Sequence, residues 1–73
     1  MDTDQRRPLT YQEGDFVEVK QIGLAKVDAV GDTEYFLFFA SGKRGGGWKE
    51  HDIAGPTTKQ KFWADWRARK RYG

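Results

Sequence analysis

The sequence predicts a mainly β domain that ends in one α-helix. Residues 16–20 alternate apolar and polar side chains, with Val17 and Val19 on one face. This alternation is typical of a half-buried strand. By contrast, residues 58–71 carry aromatic side chains at the spacing of one helical face. The chain has 73 residues, and a chain of this length forms one domain with a small hydrophobic core.

Two further strands are expected after the first. Residues 24–30 form a second strand, with Ala25, Val27 and Ala29 on one side. Residues 34–40 form a third strand in which both faces are apolar. A strand of this kind needs two covers, of which one is the interior of a barrel or sandwich. The other is a helix, a partner chain or a ligand. One face consists of Tyr35, Leu37 and Phe39, and the other consists of Phe36, Phe38 and Ala40.

A glycine-rich segment, SGKRGGGW (residues 41–48), follows the third strand. We expect residues 42–47 to be a hairpin loop, because glycine reaches positive φ angles without a steric penalty. A phosphate-binding Walker loop has a different glycine spacing and a Ser or Thr after its lysine. We expect residues 48–50 to begin a fourth strand. A helical turn at residues 51–53 then leads to a short fifth strand or to a linker at residues 55–56.

The C-terminal segment is predicted to be helical from about residue 58 to residue 71. Thr57 and Thr58 supply an N-cap, and Thr57 with Gln60 has the spacing of a capping box. The helix has one apolar face, which consists almost entirely of aromatic side chains, and its last turn is cationic. Cations at this position suit the negative end of the helix dipole. The aromatic side chains are Phe62, Trp63 and Trp66.

Charge is distributed unevenly along the chain. The net charge is +2, from 13 Lys and Arg against 11 Asp and Glu. Residues 1–58 hold seven of these cations and ten of the acids, whereas residues 59–73 hold six cations and one acid. A mildly acidic body with a basic end indicates that this end meets an anionic partner or serves as a solvated helix.

The composition argues against several classes of function. The chain has no cysteine and one histidine, His51, so we expect no metal site and no cofactor. Glu50, His51 and Asp52 lie together, but no nucleophile accompanies them, and we expect the protein not to be an enzyme. No apolar run is long enough to span a bilayer, and the N-terminus is too polar for a secretory signal. We therefore predict a cytoplasmic protein with no membrane partner.

The order of these features resembles that of SH3-like small β-barrels of the KOW and Tudor-like type. The likeness covers about residues 13–54 and implies four to five antiparallel strands. It also implies a binding module for nucleic acid or for protein segments. The residues that carry it are Gly14-Asp15, Val17, Val19, Ala25-Lys26-Val27, the aromatic strand at residues 35–39, Trp48 and Asp52-Ile53.

We therefore divide the chain into three parts. Residues 1–10 are expected to be a flexible arm, and residues 11–55 an SH3-like barrel. Residues 56–73 are expected to be a basic, aromatic helix that packs on the barrel or extends from it.

The first functional hypothesis is a small nucleic-acid-binding accessory protein, with DNA or RNA as its partner. Cations at the loop tip and on the helix would contact phosphates. Trp48 would stack on a base, unless it serves only in the barrel edge. The cations are Lys43, Arg44, Arg67, Arg69, Lys70 and Arg71.

The second hypothesis is a protein-interaction module, such as a small adaptor or a phage- or plasmid-type inhibitor of a larger intracellular protein. Its binding residues would be Phe36, Phe38, Trp63 and Trp66. A second copy of the chain is a further candidate partner. The same aromatic residues also allow a simpler arrangement, in which the helix packs on Phe36 and Phe38 and covers them.

Overall fold

The computed structural model describes residues 9–72, and the side chains of residues 9–70, as one antiparallel sheet followed by one helix. The predicted mainly β class is confirmed. Most of the predicted N-terminal arm, residues 1–8, lies outside the described residues. The strands are β1 (Phe16–Val19), β2 (Gly23–Val30), β3 (Tyr35–Phe39), β4 (Arg44–Trp48) and β5 (Ile53–Pro56); a 3₁₀ turn (Glu50–Asp52) precedes β5, and the helix is α1 (Lys59–Tyr72).

The strand order in the sheet is β4-β3-β2-β1-β5. The first four strands follow one another as a meander, and β5 returns to pair with β1 on its free side. This five-stranded sheet with a C-terminal helix is compatible with a small SH3-like fold. The strands at the two ends of the order are β4 and β5.

The inner face of the sheet forms the hydrophobic core. Its side chains follow the predicted two-residue period on β1 and β3, where Val17, Val19 and Leu37 are buried. Phe62 of α1 is also buried, but it packs on the opposite face of the sheet. The inner core cluster is Val17, Val19, Ala25, Val27, Tyr35, Leu37, Phe39 and Ile53.

Strand β2 departs from its predicted pattern at one end. The register between β2 and β3 shifts between Val27 and Ala29. A shift of one residue moves the following side chains to the other face of a sheet. Ala29, which we expected beside Ala25 and Val27, is therefore exposed.

Residues 44–48 of the glycine-rich segment form a strand, so the predicted hairpin loop over residues 42–47 is correct only for its first two residues. The turn is shorter: Gly42 N–H donates to the Phe39 carbonyl (2.8 Å), and Phe39 N–H donates to the Lys43 carbonyl (2.7 Å). Gly42 has φ +100°, which explains one glycine. At Gly46 a Cβ atom would lie 3.0 Å from the Phe36 ring, so that a larger residue would have to displace this ring. Arg44, which was predicted at the loop tip, is the first residue of β4, and Trp48 is its last residue and does not begin a strand.

The segment after β4 contains the predicted helical turn and fifth strand. The turn begins one residue earlier than expected, at Glu50. The alternative of a linker at residues 55–56 is wrong, because Gly55 pairs with Glu18 and Pro56 pairs with Val17. Pro56 is tolerated at this edge position, where proline does not break a ladder between two neighbours.

Helix α1 begins one residue later than the proposed capping box requires. Lys61 N–H donates to Thr58 Oγ1 (3.1 Å), and Phe62 N–H donates to the Thr58 carbonyl (3.0 Å). Thr58, one of the two residues predicted to supply the cap, is therefore the N-cap residue, whereas the predicted capping box of Thr57 with Gln60 is wrong.

Candidate functional site

The outer face of the sheet carries a row of paired side chains across four strands. Phe16 on β1 pairs with Lys26 on β2, and Lys26 pairs with Phe38 on β3. Phe38 in turn pairs with Arg44 on β4. Directly paired residues project from the same face of a sheet. Two cations and two aromatic rings therefore alternate on the face opposite to the core.

Helix α1 packs on the aromatic rings of this row. The Phe62 ring lies 5.2 Å from the Phe16 ring and 6.0 Å from the Phe38 ring, between centroids, and Phe62 is 0% exposed. Trp66 lies 5.4 Å from Phe38. The helix thus provides the second cover that the two-faced strand β3 requires. Trp63 lies beside these rings and is half-buried.

Phe36 has a different environment from the other three aromatic residues of the protein-binding hypothesis. It lies against Gly46 of β4 and is 41% exposed. Phe38, Trp63 and Trp66 are half-buried and contact one another or Phe62. The expected packing of the helix on β3 therefore involves Phe38, while Phe36 remains at the surface.

Two cations stand at opposite ends of one aromatic pair. The Arg44 guanidinium lies 5.2 Å from the Phe38 ring centroid, and Lys70 Nζ lies 5.5 Å from the Trp66 ring centroid. Both distances are within the range of cation–π attraction. We call the contacting series Arg44, Phe38, Trp66 and Lys70 the capped row. It joins a cation of the β3–β4 hairpin to a cation of α1 through the contact between Phe38 and Trp66.

The remaining helix cations differ in their surroundings. Arg69 Nε lies 3.2 Å from Asp65 Oδ1, so that an acid offsets its charge. Arg67 is exposed and lies one turn beyond Trp63. Arg71 lies in the last turn of α1, and its side chain is outside the described residues. The predicted set of four helix cations is therefore not uniform.

A cleft of about 320 Å³ lies beside β4. Its apolar side chains include Ile22, which is 51% exposed, and Phe39 and Trp48, whose rings meet edge to face at 5.2 Å. Lys43 and Arg44 belong to the same lining, and none of the described lining residues is acidic. The full lining is Ile22, Phe39, Ser41, Lys43, Arg44, Gly45, Gly46 and Trp48.

A buried tyrosine at the other end of the sheet binds a carboxylate. The Tyr35 hydroxyl donates to Glu50 Oε1, and Tyr11 N–H donates to the same hydroxyl (3.1 Å). Thr10 N–H donates to Glu50 Oε1 (3.2 Å). Burial, and then the hydrogen bond to Glu50, raise the pKa of Tyr35 to about 12. These contacts attach residues 10–11 to the 3₁₀ turn.

The acidic residues around His51 have structural partners. Asp52 Oδ2 accepts from Lys49 N–H (2.9 Å), which closes the 3₁₀ turn, and Glu50 binds Tyr35. His51 Nε2 lies 3.6 Å from Asp52 Oδ1 and is highly exposed. Within residues 9–70, no group of three or more His, Asp or Glu side chains is placed to hold a metal ion. Across the described part of the chain, no helix has the length and apolar character needed to cross a membrane.

Lys26 is the site residue that sequence reasoning did not select. It lies in the outer-face row between Phe16 and Phe38 and is half-buried. Lys26 alternates with Ala25 and Val27 along β2, and this alternation already predicted that its side chain lies on the outer face. Its pairing with Phe38 could not be predicted from the sequence, because this pairing depends on the register of β2 against β3.

Comparison of the chain with protein-family profiles, with curated proteins and with solved structures gave no match.

Proposed function

We propose that the protein is a small, non-enzymatic nucleic-acid-binding accessory protein built on an SH3-like barrel. The observation that supports this proposal is the capped row, in which Arg44 and Lys70 flank Phe38 and Trp66 on one surface. The charged groups at its ends can contact phosphates, and the neighbouring Lys43 and Arg67 are both exposed. The acidic body limits the contact to this side of the molecule.

Salt dependence gives the first test. Each phosphate neutralised on a single strand contributes about −0.7 to the slope of log affinity against log salt. Four cations, Lys43, Arg44, Arg67 and Lys70, would give a slope of about −3. Raising the salt from about 50 to about 200 mM should then weaken binding about 50-fold. The measurement is fluorescence anisotropy of labelled DNA and RNA, both single- and double-stranded.

A matched pair of variants distinguishes the capped row from net charge. Lys70→Ala and Arg69→Ala each remove one positive charge from the same exposed turn of α1. Lys70 belongs to the capped row, whereas Arg69 is paired with Asp65. We expect Lys70→Ala to reduce the salt slope by about 0.7 and Arg69→Ala to change it little. Equal losses would contradict the role of the row, and absence of binding at low salt would contradict the function.

One specific observation favours the protein-interaction hypothesis. Phe36 and Val30 are both exposed apolar residues, and both line a groove of about 340 Å³ that includes Gly46. An exposed apolar pair suits contact with a protein surface, including a second copy of the chain. Analytical ultracentrifugation tests this alternative. A dimer that Phe36→Ser converts to monomer would favour it, and a monomer at all concentrations would exclude self-association.

A further inference from the structure

We propose that the cleft beside β4 holds one unpaired nucleobase, so that the protein binds single-stranded in preference to double-stranded nucleic acid. This inference rests on the proposed function, because it names the class of nucleic acid that the capped row would hold. The cleft combines a volume of about 320 Å³ with apolar walls formed by Ile22, Phe39 and Trp48.

The chemistry of the cleft favours a base that carries phosphate. Trp48 is half-buried, so that part of its indole surface is open to a stacking partner. Lys43 and Arg44 line the same cleft, and the described lining contains no acid to offset them. A neutral apolar ligand would use the walls but not the cations. A nucleotide of a polyanionic strand uses both.

Strand β4 leaves room for the sugar–phosphate backbone next to the cleft. Gly45 lines it without a side chain, and a Cβ atom there would meet no atom within 4 Å, so that a strand can approach the protein backbone closely. Arg44 lines the cleft at the start of β4, while its guanidinium lies over Phe38 on the outer face. Because β4 is an edge strand, a single strand with one base in the cleft can pass around this edge at Arg44 towards Lys70. A duplex would have to unpair a base before it could make the same contacts.

The test uses three labelled probes of equal length that differ in one property each. The first is a single-stranded oligothymidine. The second is an abasic single strand, which has the same phosphates but no bases, and the third is a blunt duplex. Anisotropy titrations are performed at about 50 mM salt. We expect the oligothymidine to bind about 10-fold or more tightly than the abasic strand and the duplex, as stacking on one aromatic side chain allows.

Two variants test the cleft itself. Trp48→Leu should lose about 10-fold on the oligothymidine and leave binding to the abasic strand unchanged. Tyr11→Leu, which changes a half-buried aromatic residue that belongs neither to the cleft nor to the capped row, is the matched control. Gly45→Val fills the cleft while retaining Trp48, because a Cβ atom at Gly45 meets no atom within 4 Å. A β-branched residue also suits a strand, so this variant should fold and show the same loss.

The outcomes separate the inference from the proposed function. Equal affinity for the three probes, or oligothymidine binding that Trp48→Leu and Gly45→Val leave unchanged, would overturn the inference. If Lys70→Ala still weakened binding in that case, the nucleic-acid function would stand. If none of the probes bound at low salt, the proposed function would be wrong, and the inference would fail with it.

Discussion

Tyr35 makes the stability of the protein sensitive to alkaline pH. Its pKa is raised from 10.0 to about 12 in the folded state. Below about pH 10 the tyrosine is neutral in both states, and its stabilising effect is fully present. Between about pH 10 and about pH 12 the unfolded chain loses the proton and the folded chain retains it, so that stability falls. A shift of two units corresponds to a loss of about 2.7 kcal/mol.

The Tyr35→Phe variant isolates this effect from other groups that titrate in the same range. The variant lacks the hydroxyl that donates to Glu50 and accepts from Tyr11 N–H. A hydrogen bond to a charged group contributes about 1.5–3 kcal/mol. We therefore expect wild type to be more stable by about this amount at pH 9, and the difference to approach zero near pH 12.

Urea denaturation followed by tryptophan fluorescence at successive pH values provides the measurement. A difference between wild type and Tyr35→Phe that stays constant from pH 9 to pH 12 would refute the reasoning. Glu50→Gln is an informative third protein, because it removes the carboxylate but leaves Tyr35 buried. Burial is the larger cause of the raised pKa. Glu50→Gln should therefore lower the pKa of Tyr35 in the folded state only in part, and stability should fall over a narrower range of alkaline pH.

Three further substitutions test the fold. Phe62→Ala removes a side chain that is 0% exposed and should lower the free energy of unfolding by about 3–5 kcal/mol, measured in urea; a loss below about 1 kcal/mol would contradict the packing of α1. Thr58→Ala should lower the free energy of unfolding by about 1 kcal/mol through loss of the N-cap, whereas Thr57→Ala should change it little. A larger loss for Thr57→Ala than for Thr58→Ala in thermal melts would identify Thr57 as the N-cap residue instead. Gly42→Ala places a side chain at φ +100° and should cost about 1 kcal/mol or more, and an unchanged melting temperature would argue against this turn.

The inner face of the sheet could be predicted from the sequence because it depends on a local period. Val17 and Val19 are two residues apart on β1, and Leu37 lies between two other buried residues of β3. An alternating pattern of this kind determines which side chains share a face, whatever the neighbouring strands are. The prediction failed at Ala29, where a shift in strand register reverses the faces.

Strand β4 could not be recognised from its composition. Glycine has low strand propensity, and three consecutive glycines resemble a loop. In the folded protein Gly45 pairs with Leu37, and Gly46 lies under the Phe36 ring. Tertiary contacts with β3 therefore outweigh the local preference.

The candidate site was predicted in its parts but not in its arrangement. Composition alone identified Arg44 and Lys70 as cations and Phe38 and Trp66 as aromatic residues. Their contacts join the β3–β4 hairpin to α1, which lies further along the chain, and these contacts depend on strand pairing and helix docking. The pairing of Arg69 with Asp65 could be predicted from the sequence, because the two residues are four apart on one helix with the acid first.

The position of α1 after all five strands has a consequence during synthesis on the ribosome. The sheet can pair before the helix has emerged, and during that interval Phe16 and Phe38 have no cover from Phe62. A nascent sheet with this aromatic surface is a target for chaperones and for association between neighbouring chains. A chain ended at residue 57 would keep that state permanently, so we expect it to form aggregates when it is expressed.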